Sequence, residues 1–209
     1  MLSSAIPIFP LPNVVLFPGV FLPLHVFEPR YRDMVRDALA GDRVIGMALL
    51  KPGREHEYED VPPVFAVGCA GVITHVEQLQ DGRYNMVLRG VERFRITGEE
   101  KDGRPYRIAR VEYLDERVSK ADHDTLRRLR HRLEELLGSV SQVSDPQLPA
   151  NLSDEELVNA LAQYLDLEPV ERQALLERPS VATRGHALVD LLEMKTMTPL
   201  APPGRGLVH

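Results

Sequence analysis

The sequence predicts an α+β protein in which a strand-rich part precedes a helical part. Three observations carry this prediction. Up to about Leu114, apolar residues come in short runs of strand length, separated by turn residues. Beyond Asp115, leucines recur at the three- and four-residue spacing of a helix. Hairpin signals, Asp81-Gly82 and Asp102-Gly103, fall only in the first part. The division expected is 1–117 for the β-rich lobe, 118–197 for the helical lobe and 198–209 for a tail. That tail, TPLAPPGRGLVH from Thr198, has too little periodic apolar content to fold and is expected to be disordered.

The elements follow in order. Ile6 to Val35 is strongly apolar yet holds Pro7, Pro10, Pro12, Pro18, Pro23 and Pro29, residues that remove ladder donors and so belong at strand ends, bulges or edges. Pro18-Gly19 reads as a turn, with Pro23 restarting the chain as the next strand. A helix is expected from Arg30 to Ala40, with Pro29 at its first position, Glu28 near its positive end and Gly41 as its cap. Arg43–Leu50 and Val64–Gly68 are strand-length apolar runs, and GVITHVEQL, QDGR, YNMVLRG reads as a hairpin. Within RFRITG the alternation predicts Arg93, Arg95 and Thr97 on a wet face, with Phe94 and Ile96 on a dry one. YRIARVEYL completes a set of short strands suited to a barrel or a sandwich.

Leu126, Leu129, Leu133, Leu136 and Leu137 form one helical stripe, with Ser119 as N-cap. A Ser- and Pro-containing linker follows from Gly138 to Asn151. Ser153 and Glu156 make a capping box before Leu157, Leu161 and Leu165. Pro169 opens a further helix through Leu176, and Ser180 caps one that carries Leu188, Leu191 and Leu192.

Composition excludes several function classes. A net charge of −6 argues against general affinity for phosphate backbones. No apolar run approaches the ~20 residues of a membrane span, and no basic segment precedes a signal-like core. One cysteine, Cys69, rules out intrachain disulfides and cysteine-rich zinc sites, so a reducing, cytoplasmic location is expected. Cys69 sits among small residues with no basic neighbour in sequence and reads as a buried structural thiol. There is no phosphate-binding G-x-x-x-x-G-K-[ST] loop, no G-x-S-x-G elbow and no H-E-x-x-H. His123 and His131 lie two helical turns apart, too far to share a metal. The basic run RRLRHR (Arg127–Arg132) is offset by Asp124 and Glu134 at i,i+4, which makes it a solvated helix face. No catalytic, metal or cofactor site is expected.

Three motifs carry a resemblance to a known family. Pro10, Leu11, Val15, Phe17, Pro18, Gly19, Pro23, Leu24, Val26, Phe27, Glu28, Arg30 and Tyr31 match the opening pattern of the Lon protease amino-terminal, or substrate-binding, domain. Asp81, Gly82, Arg83, Gly90, Arg93, Phe94 and Ile96 resemble its hairpin, and Arg172–Glu177 with Arg184 is similar to its helical element, Arg172 replacing the usual lysine. The resemblance runs from about residue 5 to 195. It implies a PUA-like β-barrel followed by a helical bundle, with Pro10, Leu11, Phe17, Pro18, Gly19, Pro23, Glu28, Arg30, Tyr31, Gly90 and Arg93 as structural residues.

In full-length Lon this module precedes an ATPase and a Ser-Lys peptidase, so the resemblance implies a stand-alone, non-catalytic module without either activity. The implied partners are unfolded or exposed polypeptide segments or a protein-quality-control partner, through a cleft between the lobes or through Phe17, Phe21 and Phe27 if these are exposed. The alternative is RNA binding, with Arg89, Arg93, Arg95, Arg107 and Arg110 as a basic patch.

Overall fold

The computed structural model describes residues 2–53, 62–139 and 151–197. The expected linker between Gly138 and Asn151 lies mostly outside these residues, and so does the expected tail from Thr198.

The described residues form six strands and five helices: β1 (Ala5–Leu11), β2 (Phe21–Val26), α1 (Pro29–Ala40), β3 (Val44–Leu49), β4 (Val67–Gln78), β5 (Tyr84–Glu100), β6 (Arg107–Tyr113), α2 (Lys120–Ser139), α3 (Asp154–Tyr164), α4 (Pro169–Leu176) and α5 (Val181–Met197). The sheet order is β2-β5-β4-β3-β1-β6, and a further β5–β6 pairing closes the last five strands into a barrel. β2 stays outside the closure as an edge strand. β1 and β3 run parallel, and the crossover between them contains β2 and α1.

The prolines of β1 are tolerated because the strand is staggered. Its first half pairs with β6, Pro7 opposite Ile108, and its second half with β3, Pro10 opposite Ala48. Each proline therefore has a pairing neighbour on one flank only, and no ladder donor is missed on the other. Pro23 does not restart the chain at a strand boundary. It is the third residue of β2, tolerated there because β2 is an edge.

Val64–Gly68 is not a separate strand: β4 runs unbroken from Val67, and Val64 makes only an isolated bridge with Leu50. The two runs read as YNMVLRG and RFRITG fuse into the 17-residue β5, bent by register shifts against β4. Inside the barrel the Phe94 ring lies against Gly46 and Gly68, where any side chain would collide with it, and Ile6, Ile8, Ala70 and Ala109 fill the remaining space.

α1 buries Tyr31, Met34, Val35 and Ala38, an i, i+3, i+4, i+7 stripe, against the outer face of the barrel. Gly41 closes it through a backbone bond to Ala38, though the left-handed residue is Arg43, φ 59°. The caps at Ser153 and Ser180 arrive as the sequence spells them, and α4 adds an unexpected box between Glu168 and Glu171. Ser153 and Glu156 bond reciprocally, and the Ser180 hydroxyl accepts from the Thr183 N–H at 3.2 Å. One hydrophobic cluster runs from Phe9, Phe17 and Met34 of the barrel side to Leu126, Leu161, Leu176 and Leu188 of the helices.

Candidate functional site

The two halves of β5 have different surroundings. From Phe94 onward it belongs to the barrel; from Tyr84 to Gly90 it carries β2 on one side and the distal part of β4 on the other. One face of this three-stranded extension packs on the main core through Val26, Tyr84, Met86, Leu88 and Ile73. The opposite face is open. Along β2 it shows Phe21, Pro23 and His25, paired across to Arg89, Val87 and Asn85, and the same parity brings Phe27 out beyond the strand end.

Phe21 is 49% and Phe27 60% exposed, while Phe17 is fully buried and cannot touch a partner. Six residues of extended chain set the two exposed rings about 20 Å apart. Between them His25 Nδ1 lies 2.7 Å from Asn85 Oδ1, and the Arg83 guanidinium lies 3.1 Å from His25 Nε2. Arginine can only donate, so Nε2 accepts and Nδ1 carries the proton toward Asn85. A shallow groove of about 360 Å³ runs along Pro23, His25, His75 and Val87.

Backbone parity tells how this edge meets another chain. The Val20 carbonyl accepts from Gly90 at 2.9 Å, so alternation aims the backbone of Phe21, Pro23 and His25 at the open edge. Pro23 has no N–H to offer, and the Phe21 carbonyl already accepts from the Tyr164 hydroxyl at 2.9 Å. The edge is thus blunted against strand addition while the side chains beside it remain accessible. Helix α3 fixes this region further: Asn159 donates to the Pro18 carbonyl at 3.0 Å, and Gln163 Oε1 accepts from the Phe17 N–H at 3.2 Å.

The region between barrel and helices is not an open cleft. It is filled by Arg93 and Arg184, 2% and 0% exposed, which converge on Glu116. Arg184 donates to the Leu175 carbonyl (3.1 Å), Asn159 Oδ1 (2.6 Å) and Glu116 Oε1 (2.6 Å), with its guanidinium 5.6 Å from the Phe17 ring centroid. Arg93 donates to the carbonyls of Leu176 (2.6 Å) and Pro179 (3.3 Å), and its Nε lies 2.9 Å from Glu116 Oε1 without the alignment of a hydrogen bond. The alternation that put Arg93 on a wet face is therefore overturned: the helical lobe covers that position. Burial pushes the Arg184 guanidinium below the ordinary arginine value, opposed by Glu116.

The other motif residues fall in two places. Pro10, Leu11, Glu28, Arg30 and Tyr31 line a cleft of about 520 Å³ between the end of β1, the start of α1 and the β5–β6 turn. Three ion pairs hold most of its charges: Arg30 pairs with Glu28 at 2.9 Å, Arg104 with Asp102 at 3.0 Å and Arg107 with Glu99 at 2.5 Å. Gly19, φ +79°, makes the turn into β2, and any side chain at Gly90 would overlap the Phe17 carbonyl.

Among the arginines of the suggested basic patch, Arg93 is buried and Arg107 paired, while Arg89, Arg95 and Arg110 are exposed. RRLRHR ties helices together: Arg130 pairs with Glu134 at 3.5 Å and with Asp154, and Arg132 with Glu193 at 2.6 Å. Asp124 pairs with Arg127 at 3.9 Å, whereas Arg128 donates to Thr125, so the expected Asp124–Arg128 pair gives way to an i,i+3 one. Cys69 is buried and its thiol is pushed up to about 12 by desolvation. Among the described residues, no three His, Cys, Asp or Glu side chains are placed to hold a metal ion, and no helix is long and apolar enough to cross a membrane.

Comparison with known proteins follows the same outline. A family model, the ATP-dependent protease La (LON) substrate-binding domain, matches residues 5–194. Lon protease 2 of Syntrophobacter fumaroxidans is 31% identical over 188 residues, 85% of this chain. Lon protease 2 of Myxococcus xanthus is 27% identical over 202 residues, 93% of this chain. The chain spans only 23% and 24% of the length of these two relatives. Two solved structures share the fold. One, a Lon N-terminal domain protein from Xanthomonas campestris, has a TM-score of 0.59 and 24% identity, over 93% of this chain and 99% of that one. The other, the N-terminal domain of Mycobacterium avium complex Lon protease, has a TM-score of 0.63 and 19% identity, over 90% and 98%.

Proposed function

The chain belongs to the ATP-dependent protease La (LON) substrate-binding domain family, and from that premise we propose that it is a non-catalytic module that binds unfolded or exposed polypeptide segments. The observation that carries this reading is the pair of phenylalanines, 49% and 60% exposed, on the open face of a sheet whose other face is a packed core. Exposed aromatics in line on a rigid scaffold favour a partner that can cover them, since fully burying such a ring is worth about 1.5–3 kcal/mol.

Contact through side chains, rather than through a strand edge blunted by Pro23, suits a binder that tolerates many sequences. No catalytic step is assigned to the chain, and its site of action is taken to be the cytoplasm, where a lone buried thiol needs no oxidising environment.

The test is fluorescence anisotropy with a labelled, permanently unfolded polypeptide at low and high salt, with a structured RNA in parallel. Saturable peptide binding that survives salt is expected, weakened at least tenfold in the Phe21→Ser/Phe27→Ser double variant. Peptide binding that the double variant leaves intact would remove the open face as the surface. RNA binding that collapses with salt, with no peptide binding, would favour the RNA alternative.

A further inference from the structure

Arg89 stands directly across from Phe21 in the β2–β5 register, so the two side chains leave the sheet on the same open face. It is exposed, and among the described residues no carboxylate comes within ion-pair distance of it. The acid it acts on electrostatically is Glu156, whose carboxylate is held in the α3 capping box, where Oε2 accepts from the Ser153 N–H at 2.9 Å, and not in an ion pair with Arg89.

The charges at the other end of the row are arranged differently. Beside Phe27, Glu28 and Arg30 pair at 2.9 Å, and beside His25 the Arg83 guanidinium pairs with Asp81 at 2.6 Å. Glu77 accepts from Asn85 at 3.1 Å. The open face thus carries two aromatic anchors, of which the Phe21 anchor has at its side a guanidinium in no ion pair among the described residues.

We propose that this face selects extended apolar segments that carry an acidic side chain, with Arg89 reading the carboxylate next to the apolar residue seated on Phe21. This rests on the polypeptide-binding reading and adds a charge preference to it. The chemistry is directional: guanidinium and carboxylate match as a two-pronged donor and acceptor, whereas a basic residue in the same place would meet a like charge. An exposed pair of this kind contributes modestly, so the preference discriminates among segments that the phenylalanines already hold.

The experiment uses the full chain and three labelled extended peptides. They share one apolar sequence and differ at a single position beside a central phenylalanine: Asp, Asn or Lys. At low salt the Asp peptide is expected to bind roughly two- to five-fold tighter than the Asn peptide, and the Lys peptide weaker than both. The Asp advantage should vanish in ~1 M salt, where screening acts within about 3 Å. Arg89→Gln should make the three equivalent and Arg89→Glu should invert the order, with urea unfolding of both variants unchanged.

Equal binding of all three peptides by the unaltered protein overturns the charge preference and leaves the polypeptide-binding reading standing. An Asp preference that survives Arg89→Glu overturns its assignment to Arg89. Failure of all three to bind overturns the polypeptide-binding reading itself. A structured RNA that binds in an Arg89-dependent, salt-sensitive way, in place of the peptides, would show that the guanidinium reads phosphate.

Discussion

Arg89 and Arg93 stand four residues apart on one strand and show how differently a single element is used. Arg89 sits before the bend of β5, on the half that flares away from the barrel with β2, and its guanidinium is in solvent. Arg93 sits after the bend, and the helical lobe closes over it until 2% of its surface remains. The sequence around them is nearly symmetric, RGVERFR, and offers no cue as to which arginine is covered. What separates them is Gly90, which lets the Phe17 carbonyl approach, and the register shift around Val91. The first half of β5 keeps one face in solvent, and the second half is a bolt between lobes.

The largest break in that comparison comes from the bolt. Arg184→Ala removes three hydrogen bonds from a fully buried guanidinium and leaves Glu116 facing Arg93 alone. Removing one partner of a buried ionic network is expected to destabilise by about 3–5 kcal/mol, read as a fall in the urea midpoint at unchanged slope. If the loss is under about 1 kcal/mol, the network is not what holds the lobes together.

Next comes the hinge of the strand. Gly90→Ala places a methyl group into the Phe17 carbonyl, and because the Cβ position is fixed by its backbone and the carbonyl is itself backbone, neither can rotate away. The expected effect is about 1–3 kcal/mol of overpacking, together with weaker peptide binding as Phe21 is displaced. Stability lost with binding intact would show that the open face does not depend on this close approach.

How much of this was legible follows the same division. The helices, the Ser153/Glu156 capping box and the Ser180 cap could be read directly, because helical periodicity and cap chemistry are local. The prolines announced short, bent strands, but not that the stagger of β1 and the edge position of β2 would absorb them. FLPLHVF is apolar on both parities, so no alternation marked Phe21 and Phe27 as outward. Alternation alone places Arg93 in solvent because the partner that buries it lies more than 80 residues away, at Leu176 and Pro179. The open face is set by tertiary context, which a period of two cannot reveal.

Cys69 gives a smaller, pH-dependent test of the covered side. Desolvation holds its thiol up to about 12, whereas an unfolded thiol titrates near 8.5. A raised folded value means the stabilisation is fully present below pH ~8.5 and is lost as pH rises toward 12. The urea midpoint should therefore begin to fall above pH ~8.5, before the tyrosines Tyr31, Tyr106 and Tyr113, also shifted upward, enter above pH ~10. Cys69→Ala should flatten the profile between those two pH values. Native protein should resist alkylation at pH ~8.5 and react once unfolded; rapid native labelling would place the thiol at a surface.

The smallest expected effect on stability belongs to the open face itself. Phe21 and Phe27 have no full burial to lose, so Phe27→Ser should move the unfolding midpoint by no more than the ±0.5 kcal/mol typical of surface sites. Phe21→Ser should do the same provided the Tyr164 bond persists, because that bond reaches the backbone carbonyl and not the ring. Tyr164→Phe separates the two contributions: it deletes the hydroxyl, keeps the ring and should cost about 0.5–1.5 kcal/mol. A pair of phenylalanines whose joint loss weakens binding tenfold and folding by almost nothing is kept for a partner. If Phe27→Ser instead destabilises by 2 kcal/mol or more, as a buried aromatic would, the ring is covered by the chain itself and the first half of β5 is another packed surface.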